Sequence, residues 1–331
     1  GKIMANKYDV LGIGNAIVDV LTHVTDDFLV SENLTKGSMT LVSEQEAANI
    51  YEKLGQGIEC SGGSAANTIA GLASMGSRTS YMGKVKDDQL GTVFQHDIKS
   101  LGTHFGTSAE NNGPSTAHCL VLVTPDAERT MCTYLGACVN LTEDDIDEQT
   151  VRDANIIYLE GYLWDPEPAK AAFRKAIKIA HDAGNKVALS LSDSFCVGRH
   201  HAEFLALVKD GVDILFANED EIKMLYATDD VNEAALQAQQ DCHIAAITCG
   251  AKGCIVTHAD EIGHVQGRNV EKLVDTTGAG DLFAAGFLHA LSNGRSIGEC
   301  GALGNLVAGE VITHLGARPD IDLKKFVEDN A

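Results

Sequence analysis

Asn155-Ile-Ile-Tyr-Leu159, Lys186-Val-Ala-Leu-Ser-Leu191, Ile214-Leu-Phe-Ala217 and Ile244-Ala-Ala-Ile-Thr248 are short apolar runs that recur through the second half of the chain. Each has the length and composition of a buried strand. Helical patterns fill the intervals, over Pro168–Ala183, Ala202–Lys209, Glu219–Tyr226 and Asn232–Gln240. Strands that alternate with helices in this way predict an α/β fold: a doubly wound, mostly parallel sheet with helices on both faces. The pattern extends backward. Tyr8–Ile13 reads as a buried strand, Ser64–Met75 as a helix, Ser80–Val85 as a strand and Asp88–Leu101 as an amphipathic helix.

Two regions break the rhythm. Thr22–Val42 is polar with β-branched residues, and His118–Leu135 reads as two strands around a Pro125-Asp126 turn. A hairpin of this kind is not a βα unit. The two segments, about 20–45 and 112–137, are expected to build a small β lid over the ligand side of the main sheet. With no linker, repeat or low-complexity run, one domain over 4–331 with a discontinuous lid fits best, Met4 being the natural start.

Composition narrows the function classes. The chain has 331 residues, 44% of them hydrophobic and only 5 of them proline, which suits a globular protein. Its 47 acidic and 25 basic residues give a net charge of −22. Such a surface repels phosphate backbones and anionic lipid, which argues against nucleic acid and membranes as partners. No run approaches the roughly 18 apolar residues of a membrane span, and no basic segment with an apolar core marks a signal peptide. The nine cysteines are scattered without a C-x-x-C pair, as expected of reduced thiols in a cytoplasm. The tight pair His200-His201 has no cysteine or acid at metal-ligand spacing.

The strongest chemical signal is Asp275-Thr-Thr-Gly-Ala-Gly-Asp281 before the apolar helix Leu282–Leu291. A glycine turn opening a helix aims free N–H groups at an anion, and side chains at Gly278 and Gly280 would obstruct its approach. Asp281, in the first turn, is placed to accept a proton from an attacking hydroxyl. The same residues also suit a plain glycine-rich helix entry. Ser61-Gly-Gly-Ser-Ala-Ala-Asn67 opens another helix, where Asn67 offers a donor and an acceptor to a polyhydroxyl ligand, or merely follows a cap. Asn15 and Asp19 follow the first strand, Asp19 being able to take two adjacent hydroxyls. Ile17 replaces the third glycine of a dinucleotide fingerprint. Asn218-Glu-Asp-Glu221 places acids at a strand end, suiting hydrated Mg²⁺ or a capped helix. Thr248-Cys-Gly-Ala-Lys-Gly253 is a tight turn that cradles phosphate through its backbone and Lys252, or a hairpin.

Taken in order, these motifs resemble the ribokinase-like (PfkB) family of sugar and nucleoside kinases across essentially the whole chain. Asn155–Trp164, Leu189–Phe195 and Val212–Glu219 are most similar to the adenosine kinases within it. The resemblance implies Asp281 as catalytic base for a ribose 5′-hydroxyl, and Gly278, Ala279 and Gly280 as anion hole. It implies Asp19, Gly62, Gly63 and Asn67 at the ribose, with Asn15 beside them. Asn218 and Glu221 would organise Mg²⁺ through water, and Thr248, Gly250 and Gly253 would contact ATP. Asn305 is assigned to a loop bordering the ATP base, and Arg129 to the transferring phosphate. Asp275 and Thr277, with segment 311–320, are candidates for a monovalent cation such as K⁺.

The nucleobase pocket matches the family less well, since Gly37-Ser-Met-Thr-Leu41 departs from its pattern. Met39, Leu41, Tyr162, Trp164 and Phe195 are candidates there, although such aromatics more often belong to the core. The implied activity is ATP-dependent phosphorylation of a purine nucleoside, adenosine first, by a monomer or a lid-mediated homodimer. The alternatives are a PfkB kinase acting on a furanose or keto-sugar, and a non-catalytic nucleoside-binding protein.

Overall fold

The apolar runs become the strands of one large sheet in a computed structural model that describes residues 6–330; the reading of Met4 as the start lies outside the described residues. In chain order the strands are β1 (Tyr8–Ile13), β2 (Ile17–His23), β3 (Met39–Leu41), β4 (Ile58–Ser61), β5 (Thr79–Met82), β6 (His104–Phe105) and β7 (Ala117–Val123). They continue with β8 (Arg129–Tyr134), β9 (Ala154–Glu160), β10 (Lys186–Ser190), β11 (Ile214–Asn218), β12 (Ile244–Thr248), β13 (Cys254–His258) and β14 (Glu261–Val265).

Nine of them form the main sheet in the order β14-β13-β12-β11-β10-β9-β1-β5-β6. Pairing is parallel from β6 to β12 and antiparallel for β13 and β14 at the edge. From β1 the chain builds outward to β5 and β6, then returns to lay down β9 on the other side. This reversal between β1 and β9 leaves a crevice above the carboxyl ends of the strands, where open α/β sheets bind ligands. Helices cover both faces, as two separate cores show. Trp164, Phe173 and Phe204 centre one; Ile69, Phe94, Phe283 and Phe287 centre the other.

The remaining strands form a five-stranded sheet, β3-β8-β7-β2-β4. Strand alternation in β7 gives its two faces different tasks. Leu120 and Leu122 pack with Val20 and Leu29 under the short helices Asp26–Ser31 and Glu44–Tyr51. Cys119 and Val121 point the other way, toward the crevice. The hairpin read at 118–135 is present as β7 and β8. The polar stretch 22–42 is not wholly β: Thr25 caps a helical turn by accepting from Phe28 N at 3.2 Å. The small sheet also draws the start of β2, residues 17–19, and all of β4 from outside segments 20–45 and 112–137. Among the described residues no helix is long and apolar enough to cross a membrane.

Helices Ser64–Ser74 and Ala279–Ser292 approach closely on one face of the sheet. Gly71 permits this, for a Cβ there would meet Leu282 Cδ1 at 2.6 Å and Ala285 Cβ at 2.8 Å. Gly71→Val should therefore lower stability by about 1–3 kcal/mol through overpacking, seen as a reduced urea midpoint with unchanged slope. Gly55→Ala, which meets nothing within 4 Å, should stay within about 0.5 kcal/mol of the parent.

Candidate active site

A cleft of about 720 Å³ opens where the topology reverses. The residues that follow or end β1, β9, β10, β11 and β12 line it: Asn15, Glu160, Ser190, Asn218 and Thr248. The small sheet supplies the opposite wall through Asp19, Met39, Leu41, Cys119, Val121, Arg129 and Met131.

The glycine turn forms the floor. Gly278 has φ 76° and stands as N-cap of the Ala279–Ser292 helix. A Cβ there would meet Ala317 Cβ at 2.5 Å, whereas one at Gly280 meets nothing within 4 Å and would enter the open cleft. Ala279 N–H turns back to Thr276 O at 3.3 Å. The N–H groups of Gly280 and Asp281 lie in the free first turn, at the positive end of the helix dipole.

Asp281 is fixed from the neighbouring helix. Ser64 Oγ donates to Oδ1 at 2.6 Å, Asn67 Nδ2 to Oδ2 at 3.2 Å, and Thr68 Oγ1 to the Asp281 carbonyl at 2.9 Å. Burial raises the Asp281 carboxyl above the usual range, against the opposing pull of Ser64, Asn67 and Arg129. The result is a carboxylate of increased basicity beside an anion site. Asn67 is oriented in turn by Arg318, whose Nε donates to Oδ1 at 3.2 Å while Nη2 donates to Gly62 O at 3.0 Å. Arg318 carried no recognisable signal in the sequence, nor did Ser64 as a partner of Asp281. Gly62 therefore belongs to the supporting shell: its carbonyl serves Arg318, and Asp19 fills the space beside its Cα.

Asp19 faces the cleft with its carboxyl pushed up to about 7, chiefly by burial. Gly63, at φ 87°, brings its backbone against Asn15 O. Glu160, also absent from the sequence reading, accepts from Ala65 N at 3.0 Å and is pushed up by burial to about 8.

At the far end Asn218 and Glu221 form a reciprocal capping box. Glu221 N donates to Asn218 Oδ1 at 2.8 Å, and Asn218 N to Glu221 Oε1 at 3.0 Å. The cap leaves Glu221 Oε2 and Asn218 Nδ2 unused, and burial near Asp193 and Asp281 pushes the Glu221 carboxyl up to about 7. Thr248, Gly250 and Lys252 line the adjoining wall.

Several sequence expectations change. Gly253 packs its backbone against Val265–Gly267 instead of opening on the cleft. Asn305 lies inside the Ile297–Val311 helix, not in a loop, and its amide donates to Val265 O and Gln266 O. Phe195 is 75% exposed and lies outside the cleft lining, and Trp164 is buried core. Tyr162 does line the cleft. Arg129 Nε rests 3.0 Å from Asp275 Oδ1. Asp275, fully buried, also accepts from Thr277 N and Gly316 N, each at 2.9 Å, and from Thr277 Oγ1. Oδ1 is thus shared by Thr277 and Arg129, while among the described residues Oδ2 accepts only from Gly316 N.

Residues 39–324 match the family profile described as pfkB family carbohydrate kinase. An uncharacterized sugar kinase of Archaeoglobus fulgidus is 30% identical over 254 residues, which are 75% of this chain and 96% of that protein. Among solved structures, an adenosine kinase of Sinorhizobium meliloti superposes with a TM-score of 0.95 at 48% identity, over 98% of this chain and 100% of that one. A probable sugar kinase of Rhizobium etli gives a TM-score of 0.95 at 45% identity, over 98% of both chains. The chain belongs to the pfkB family of carbohydrate kinases. It is an ATP-dependent phosphotransferase of that type, built on the frame shared with adenosine kinase.

Asp19 makes the site a pH-dependent cost to the fold. An unfolded aspartate titrates near 3.9, and this one near 7, so the folded state retains the proton between those values. Its contribution to stability therefore falls as pH rises from about 4 to 7. Asp19→Asn does not titrate and should unfold at a higher temperature than wild type at pH 8. The difference should shrink at pH 5 in paired thermal melts.

Proposed function

We propose that this protein transfers the γ-phosphoryl group of ATP to the 5′-hydroxyl of a purine nucleoside, with adenosine as the preferred acceptor. The observation that carries the reading is the fixed Asp281 carboxylate at the first turn of a glycine-led helix, in a cleft that also has an apolar wall. Asp19, Asn15 and the Gly63 backbone line the same cleft and suit the ribose diol. Beyond them, Met39, Leu41, Val121, Met131, Leu135 and Tyr162 offer an apolar wall that a free sugar would leave unfilled and a base would cover. The likeness to an adenosine kinase at 48% identity supports the same choice.

In this mechanism Asp281 accepts the proton of the 5′-hydroxyl as its oxygen bonds to the γ-phosphorus. The bond from that phosphorus to the β–γ bridging oxygen breaks, and ADP leaves. The Gly280 and Asp281 N–H groups stabilise the charge on the transferring group. Arg129 sits close to Asp275 by charge without an aligned hydrogen bond, so a phosphate oxygen can draw it from the small sheet onto the transferring group. Thr248, Gly250 and Lys252 hold the ATP end. The free Glu221 oxygen would accept from the waters of a hydrated Mg²⁺, whose charge would offset that of the phosphates, and Asn218 Nδ2 would donate to a phosphate oxygen. The small sheet acts as a lid of the single domain, excluding water when both substrates are bound.

Two measurements test this. A coupled ADP-release assay over adenosine, inosine, ribose and fructose should give the highest kcat/KM with adenosine; a preference for either sugar overturns the choice of acceptor. Asp281→Asn should lower kcat by about 10²–10⁴ while adenosine binding, read by calorimetry, persists. Equal turnover in wild type and variant would remove Asp281 as the base.

A further inference from the structure

The Ile297–Val311 helix runs into a loop, residues 312–320, that supports the active site at three points. Gly316 N donates to Asp275 Oδ2, Ala317 fills the space above Gly278, and Arg318 orients Asn67. Whatever fixes this loop also fixes the glycine turn and the proposed base.

Side chains from the end of the helix and from the loop itself meet here. His314 Nε2 lies 3.3 Å from Glu310 Oε1 and 3.5 Å from Asp320 Oδ1. One ligand atom from each of the three residues lies within 4.8 Å of the others. The remaining ring nitrogen, Nδ1, is 3.2 Å from Leu315 O. A carbonyl only accepts, so Nδ1 carries hydrogen. Nε2 then meets two carboxylates either as the second N–H of an imidazolium or as a lone pair, with a cation at the centre.

Geometry and donor chemistry favour the cation. Zinc bonds of about 2.0–2.1 Å in a tetrahedron separate adjacent ligand atoms by roughly 3.3–3.4 Å, close to the two separations from Nε2. A backbone carbonyl on the far nitrogen is the usual outer partner of a ligating histidine. One imidazole with two carboxylates suits Zn²⁺ or Mn²⁺ better than Mg²⁺, which prefers oxygen and its own waters. Glu310 and His314 are largely buried, while Asp320 is open to solvent and leaves an entry path.

We propose that Glu310, His314 and Asp320 form a divalent transition-metal site, separate from the Asn218–Glu221 pair, that staples the 312–320 loop beneath the anion hole. The test uses the whole chain, stripped with chelator and titrated with Co²⁺ and then Zn²⁺ in the absence of nucleotide and nucleoside. The proposal requires one equivalent of Co²⁺, visible d–d bands, displacement by Zn²⁺ and a higher melting temperature with Zn²⁺. His314→Gln and Asp320→Asn should each weaken binding on the order of 100-fold or more, with metal-free melting curves like wild type. Absence of stoichiometric binding makes the cluster an imidazolium ion pair and overturns the proposal. So does binding that both variants retain, which would place the metal elsewhere on the chain, and so does effective competition by Mg²⁺. No substrate enters the titration, so its outcome is independent of the kinase reading.

Discussion

Two hydrogen bonds, from Ser64 Oγ and Asn67 Nδ2 to the carboxylate of Asp281, join two helix N-termini across the topological reversal of the sheet. Much of the site follows from that junction. It places a carboxylate beside free N–H groups, and it requires helices Ser64–Ser74 and Ala279–Ser292 to lie close enough to exclude a side chain at Gly71. It also explains Arg318. An amide can face Asp281 with its nitrogen only if its oxygen has a donor elsewhere, and the guanidinium supplies one.

The cleft gathers carboxyl groups that burial makes reluctant to ionise. Asp19, Glu160 and Glu221 are pushed up to about 7, 8 and 7, and Asp281 is raised as well. Taken with a net charge of −22, such a site looks hostile to a nucleotide. Local fields decide otherwise. In the proposed reaction, helix N-termini, Arg129 and Lys252 would meet the phosphates at short range, where the average surface charge is screened. The acids remain where hydroxyl groups and a hydrated cation would meet them. Global charge thus speaks about polymers and surfaces, and says little about one ligand in a cleft.

Much of this was legible. The main-sheet strands from β9 to β12 were readable because a strand buried on both faces needs an unbroken apolar run, and the Asp275–Asp281 turn because few sequences place glycines before an apolar helix with an acid in its first turn. The small sheet was only partly legible. Strands β3 and β4 are short and largely exposed, and the segment 22–42 includes a helical turn set by one threonine cap. Asn305 and Phe195 were misplaced because a motif position says where a residue falls along the chain, not which way its side chain faces. Gly253 carries a related lesson: its positive φ serves a hairpin against Val265–Gly267, which the same turn sequence would equally permit at a ligand.

By itself, then, the sequence determined the order of strands and helices, the glycine turns that open two helices, and the acid that follows one of them. These are local matters, encoded in periodicity and in the conformations glycine alone adopts readily. Only the tertiary structure decided which side chains meet. Asp281 and Ser64 stand 217 residues apart, and Arg318 and Asn67 stand 251 apart. Arg129 reaches Asp275 from another sheet. No spacing rule links such partners, because their contact depends on the path of the whole chain through the sheet reversal, and hydrogen bonds act only over the last few ångströms.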